Sequence, residues 1–245
     1  MHVQLKEQNN HPEITVMDTQ ELYGEKGNFR VLQFSNEAIQ GALDLDQPKR
    51  ILFEYPRAII HLVEWNDPTF EDIFIIGHGI GTLPGYFSDK RCKVAELSAP
   101  IVHLSRQYFG YNQDNIIIGD GRAILESEQN EGLDYIVVDA FTDKGTPHHL
   151  VSWEFFRTAS EKLDEQGSII LNLIGRSEND SFIHAIHTTA CDIFPYVRSF
   201  SLPVQDSTDT QNILIMASKS PIMFQSKHLA GFTEVQFSEG YIIWD

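Results

Sequence analysis

This 245-residue sequence predicts an α/β fold: a mostly parallel sheet with crossover helices, preceded by a small antiparallel sheet. Three observations carry that reading. The apolar run Ile73-Phe74-Ile75-Ile76 meets Gly77-His78-Gly79-Ile80-Gly81 at once, and Thr82, Leu83, Tyr86 and Phe87 follow at helical spacing. From Glu71 onward strand-like and helix-like runs alternate, which is the sign of parallel strands joined by helices. Ahead of Leu45 the runs are instead short and strand-like, separated by turn-prone residues.

In chain order, Glu13–Asp18, Phe29–Phe34 and Glu37–Asp44 read as short strands, punctuated by Tyr23–Asn28 and Ser35-Asn36. Leu45–Arg50 is a loop, and Ile51 to Trp65 has near-helical apolar spacing despite Pro56, closed by Asn66-Asp67-Pro68. Seven strands then follow at 72–77, 93–97, 115–118, 133–139, 167–173, 196–201 and 211–217, with helices at 81–88, 99–109, 121–127, 151–164 and 179–193. Gly167 reads as the turn that ends a helix and releases a strand. The polar loop 203–209 is too short for a helix, so the last two strands form an antiparallel hairpin. Residues 218–245 are the least readable, with Tyr241–Trp244 expected to pack back on the body. Two domains are expected, a small β-sheet domain at 1–50 and a Rossmann-like nucleoside-binding domain at 51–245.

Composition limits the function. A hydrophobic fraction of 42% supports a packed core. No apolar run reaches the ~18–20 residues of a membrane span, and the first ten residues lack a signal-peptide plan. Cys92 and Cys191 offer neither a disulfide framework nor zinc spacing, so a cytoplasmic protein with reduced thiols is expected. A formal net charge of -17 repels phosphate backbones, which disfavours nucleic acid and suits a cationic small substrate.

The candidate site lies where the strands end. Gly77, Gly79 and Gly81 let the backbone turn tightly beside a ligand. Glu96 closes the next strand at the roughly 20-residue spacing of a ribose-binding carboxylate. The Gly-x-Gly-x-Gly pattern leans towards S-adenosyl ligands rather than dinucleotides. Asp120, in Gly119-Asp120-Gly121-Arg122, either accepts from an adenine amine or caps the helix that follows. Asp139 ends the fourth strand on the ligand rim, and Asp143 lies four residues on in a Gly/Pro-containing loop. Two such carboxylates can steady a sulfonium, hold an ammonium and take its proton, although Asp143 reads equally as a solvated loop acid. His148 and His149 read as loop residues more readily than as bases. His184 and His187, three apart on a helix, have no acid or cysteine partner at ligand spacing, so no metal site is expected.

Ile75 to Gly85, Val94-Ala95-Glu96, Gly119-Asp120-Gly121-Arg122, Asp134 to Asp139 and Ser168 to Gly175 resemble the spermidine synthase (polyamine aminopropyltransferase) family, over roughly residues 30 to 217. The resemblance implies a small N-terminal sheet followed by a methyltransferase-type Rossmann domain. It implies no tightly bound cofactor but a co-substrate, decarboxylated S-adenosylmethionine or S-adenosylmethionine, with an amine acceptor and a homodimer. Carried over by position, Glu96 holds the ribose and Asp120 the adenine. Gln40 lies over the nucleoside, and Asp139 orients or deprotonates the amine. Departures fall on the amine side. Ile80 stands where the family's glycine loop carries an acid. Tyr55-Pro56-Arg57 stands where the family has Tyr-His-Glu, so that Arg57 is expected to repel a diamine. The Asp139-to-Asp143 loop is one residue longer, and Leu97-Ser98 follows Glu96. The acceptor expected from these changes differs from putrescine. Within the same fold, methyl transfer is the rival reading. A nucleoside-binding relative without activity is the reading from another class.

Overall fold

The computed structural model describes residues 2–5, 14–34, 39–142, 145–176, 180–203 and 209–245. Four antiparallel strands open the chain, in the order β1 (His2–Leu5), β2 (Ile14–Leu22), β3 (Glu25–Phe34) and β4 (Ile39–Asp44). Tyr23 and Gly24 both have positive φ, 48° and 83°, the geometry of a two-residue hairpin turn that matches strand twist. That turn is shorter than the sequence suggests, because β3 already starts at Glu25. Alternation along the strands produces two apolar faces. Ile14, Val16 and Leu32 pack on Ile80, Ile101 and Leu104 of the larger body, while Phe29 and Val31 on the other face lie against Leu52 and Phe53.

A second sheet has eight strands in the order β12-β10-β11-β9-β8-β5-β6-β7. They are β5 (Asp72–Ile76), β6 (Arg91–Glu96), β7 (Ile116–Ile118), β8 (Leu133–Val138), β9 (Leu163–Gly175), β10 (Tyr196–Ser201), β11 (Gln211–Ser218) and β12 (Thr233–Val235). Strands β5 to β9 run parallel, whereas β11, β10 and β12 join antiparallel. The helices are α1 (Glu54–Asn66), α2 (Thr82–Tyr86), α3 (Ala99–Tyr108), α4 (Gly121–Glu126), α5 (Trp153–Lys162) and α6 (Ser181–Ile193). Central strands covered on both faces read as continuous apolar runs, and their side chains divide accordingly. Phe74, Ile76, Ile136 and Val138 pack with Phe155, Phe156 and Ile186 on one face. Ile73, Ile75 and Val137 pack with Ile59, Leu62 and Val63 on the other.

The chain leaves β5 towards β6 and β7, then returns to β8 on the other side of β5. This reversal opens a crevice beyond the carboxyl ends of β5 and β8, where ligands bind in open α/β sheets. The small sheet is stitched over that end. Arg30 pairs with both carboxylate oxygens of Asp18 at 2.7 and 3.2 Å and donates to the Tyr108 carbonyl of α3 at 3.0 Å.

The seven strands and the closing hairpin agree with the sequence reading to within a few residues, save at two places. β9 starts at Leu163, where Leu133↔Leu163 pairing precedes a bulge, so the stretch taken for a helix end belongs to the strand. β12 is an eighth strand from the segment that was least readable; three residues give too little alternation to detect. The tail does return: Ile243 is buried, its N–H donates to Thr189, and Trp244 lies 5.2 Å from the Trp153 ring. Among the described residues no helix is long and apolar enough to cross a membrane.

Candidate active site

The crevice contains a cavity of about 480 Å³ roofed by the small sheet. Gly77 begins its floor. Its φ of 99° is left-handed, and a Cβ there would overlap the backbone carbonyl of Asp139. Only glycine permits that approach, and through it the β5 loop touches the tip of β8. Gly79 and Gly81 also have positive φ, 54° and 90°. Gly79 lines the cavity, but Gly81 caps α2 behind it, pressed against the Tyr111 ring, so its place is in the turn rather than the lining. Gly121 lines the cavity too, and its missing side chain lets α4 lie on Ile76. Gln40 faces the same space from β4.

Glu96, at the end of β6, is buried and clamps the glycine loop. One oxygen accepts from the His78 N–H and the other from the Ser98 N–H, both at 2.8 Å. Burial raises its pKa, and the N–H groups of Ser98, His78, Leu97 and Gly79 partly offset that rise. His78 is held in turn by Ser105, 2.7 Å from its Nε2, and burial lowers its pKa to about 4, so the ring is neutral at physiological pH.

Of the two jobs open to Asp120, the structure shows the helix cap. It caps α4 through the Ala123 N–H at 2.9 Å, and it lines the cavity with its other oxygen 2.9 Å from His149 Nε2. Burial would raise its pKa, but the Ala123 N–H and His149 outweigh it and the net shift is down. His149 is thus tied to an acid, and His148 is not among the lining residues. His184 and His187 lie far from this cavity, against Phe237.

Asp139 follows β8 and is partly buried at the base of the cavity. Burial pushes its pKa up to about 6, against the hydrogen bonds from Asn172 (2.8 Å) and Tyr55, and the charge of Glu96 adds to the rise. Tyr55 is shifted the same way: burial first, then the Asp139 charge, raises its hydroxyl well above the ordinary range. Asp143 lies outside the described residues.

Three residues with no role assigned from sequence join this centre. Tyr55 reaches Asp139 from α1, Asn172 from β9, and Asn212 of β11 donates to Asn172 Oδ1 at 3.0 Å. A lone amide inside the apolar run Ile169–Ile174 was the available signal, since a buried amide needs partners. Arg57 is not itself among the lining residues. Its guanidinium donates to Glu54, 3.0 Å away, and to the Phe53 carbonyl, so its charge is paired at the edge of the cavity. Ile80 occupies the position of the family's loop acid and packs against Gly41 of β4.

With this geometry in place, the spermine/spermidine synthase domain is matched over residues 52–227. The chain belongs to the spermine/spermidine synthase family. A polyamine aminopropyltransferase of Chromobacterium violaceum is 27% identical over 190 residues, covering 71% of this chain and 69% of that protein. An N-terminal histidine N-methyltransferase of Emericella nidulans is 31% identical over 182 residues, covering 69% of this chain and 32% of that longer protein. Among solved structures, a probable spermidine synthase from Corynebacterium glutamicum superposes with a TM-score of 0.74. It is 24% identical, with 87% of this chain and 79% of the other covered, and that likeness speaks for the fold. Aminopropyltransferases and methyltransferases both stand among the chain's relatives, so the chain is related to transferases.

Proposed function

We propose that this protein transfers an aminopropyl group from decarboxylated S-adenosylmethionine to an amine. Asp139 carries the reading: a carboxylate at the cavity base, held by Asn172 and Tyr55, with its pKa raised to about 6. A base so tuned is ionised at neutral pH yet proton-hungry, which suits removal of a proton from an attacking amine. In the step, the amine nitrogen forms a bond to the propyl carbon on sulfur. The carbon–sulfur bond breaks with its electron pair going to sulfur, which leaves as the neutral thioether methylthioadenosine. The ammonium so formed passes its proton to Asp139. Alignment of nitrogen, carbon and sulfur supplies most of the rate.

The donor choice rests on charge. Glu54, Glu96, Asp120 and Asp139 line the cavity, and no Lys or Arg does among the described lining residues. A donor bearing an ammonium and no carboxylate suits that field better than S-adenosylmethionine itself. Glu96, Asp120, Gln40 and the loop at Gly77 and Gly79 would hold the nucleoside. In this reading residues 1–50 form the roofing domain, residues 51–245 the nucleoside domain, and the protein works in the cytoplasm as a homodimer. Methyl transfer is the second reading, favoured by Ile80 where an acid would face the donor's amine.

The test incubates the protein with either donor and a panel of amines. Methylthioadenosine appearing with the decarboxylated donor supports aminopropyl transfer. S-adenosylhomocysteine appearing with S-adenosylmethionine overturns it in favour of methylation, and tight nucleoside binding without either product overturns both.

A further inference from the structure

Three aromatic rings form a file from the surface to the acid at the cavity base. Tyr55 hydrogen-bonds Asp139. The Phe53 ring lies 6.3 Å from Tyr55, and the Tyr23 ring lies 6.2 Å from Phe53, tilted by 58°. All three line the cavity, and Tyr23, at the tip of the β2–β3 hairpin, is 77% exposed. Rings at these separations pack on one another, and the faces they turn to the cavity can cover an apolar or aromatic group and attract a passing cation.

The acids along the same wall are already engaged. Glu54, between Phe53 and Tyr55, is paired with Arg57 at 3.0 Å. Glu96 holds backbone N–H groups, and Asp120 holds its helix cap and His149. Ile80 adds apolar surface to the same cavity. Among the described residues, Asp139 alone of the four lining acids is bound by side chains that are all neutral and stands at the end of the ring file.

From the ring file and this inventory of charges, and resting on the aminopropyl-transfer reading, we propose that the acceptor is a primary amine with one charge on an aromatic or long alkyl body. The amine meets Asp139, and the body lies along Tyr55, Phe53 and Tyr23. Among the described residues, a short diamine finds no further unpaired acid for its second ammonium, and it leaves the rings without a partner.

The experiment measures methylthioadenosine release with phenethylamine, hexylamine and putrescine, using the full chain and decarboxylated S-adenosylmethionine. We expect kcat/KM for phenethylamine and hexylamine to exceed that for putrescine by about ten-fold or more, the discrimination that one or two well-packed apolar groups provide. Phe53→Ala should lower kcat/KM for phenethylamine by about ten-fold and for putrescine by less than about two-fold, at a nucleoside dissociation constant unchanged within about two-fold. Because Phe53 also packs on the small sheet, Tyr23→Ala serves as the second variant: exposed at a hairpin tip, it should fold normally and lower phenethylamine use by about three-fold. Putrescine preferred over both apolar amines, or equal losses for all amines in both variants, overturns the proposal while leaving aminopropyl transfer intact. Release with no amine, alongside S-adenosylhomocysteine from S-adenosylmethionine, overturns the reading beneath it instead.

Discussion

The two halves of the cavity are built in different ways. The half proposed to hold the nucleoside comes from nearly contiguous chain: the Gly77–Gly81 loop, Glu96 at the next strand end and Asp120 at the one after. Each acid there is tied to backbone N–H groups within a few residues or one strand away. The half proposed to take the acceptor gathers Tyr23 from the hairpin tip of the small sheet, Phe53 to Tyr55 from the start of α1, and Asn172 and Asn212 from two antiparallel strands. The first half is a local motif, so its residues are constrained by backbone geometry. The second is an assembly of side chains, free to change chemistry while the fold persists. Asp139 joins the two, its N–H donating to the Ile76 carbonyl at 2.8 Å and its carboxylate held by Asn172 in the cavity.

Asp139→Asn tests that joint and should produce the largest effect. The amide keeps the shape and cannot take a proton, so turnover should fall by about 10²–10⁴-fold while nucleoside affinity stays within a few-fold. Activity surviving the change would remove Asp139 from the chemistry. Stability should move the other way. The folded pKa of about 6 lies above the ordinary 3.8, so the folded state binds this proton more tightly than the unfolded one. The stability linked to the proton is fully present below about pH 4 and is lost as pH rises through 6. Asp139→Asn should therefore melt above the native protein at pH 8, and the gap should shrink between pH 6 and 4.

Gly77→Ala breaks the contact between the halves from the other side. A Cβ would overlap the Asp139 carbonyl, a backbone atom that cannot swing away, and the φ of 99° adds strain. We expect a loss of about 2–4 kcal/mol in urea unfolding, together with weaker nucleoside binding. Gly85 is the control: it has open space around its missing side chain, and Gly85→Ala should be neutral or slightly stabilising. Equal effects at both positions would mean that the close approach at Gly77 is unimportant.

This division also explains what was legible in the sequence. The β5 loop, Glu96, Asp120 and the tip of β8 could be placed because strand ends and positive-φ glycines leave marks at fixed spacing. The file Tyr23–Phe53–Tyr55 could not, since its members sit at a hairpin tip and a helix start whose contact arises only when the small sheet folds over the large one. Arg57 shows the cost of reading that half by position: its guanidinium is paired with Glu54, three residues earlier, a contact that motif position does not reveal. Gly81 shows a milder form, a residue of the right type in the motif whose Cβ space is taken by Tyr111 rather than by a ligand.

Asn172→Ala sharpens the acceptor half. Asn172 holds Asp139, and its N–H is one of the influences keeping that pKa from rising further. Activity requires ionised Asp139, so kcat/KM should rise with pH through about 6. Without Asn172 that limb should move to higher pH, so the loss of activity should be larger at pH 6.5 than at pH 8.5. A uniform loss at every pH would assign Asn172 to packing alone. Asn212→Ala, which frees the far end of the same amide, should move the limb less.

The smallest expected effect comes from Arg57→Ala, at the outer edge of the acceptor half. Arg57 and Glu54 are both about half exposed and make a pair of the kind worth under about 1 kcal/mol, so unfolding stability should hardly change. What changes is Glu54, which lines the cavity and would lose its cation. An unpaired carboxylate at the mouth should attract the second ammonium of a diamine through partly screened solvent, raising kcat/KM for putrescine by about three-fold. Phenethylamine, with no second charge, should be unaffected. Because the attraction acts across water, it should fade as ionic strength rises and the Debye length falls towards ~3 Å at 1 M salt. A gain shared by both amines, or one indifferent to salt, would show that Arg57 shapes the mouth sterically and that Glu54 does not read charge.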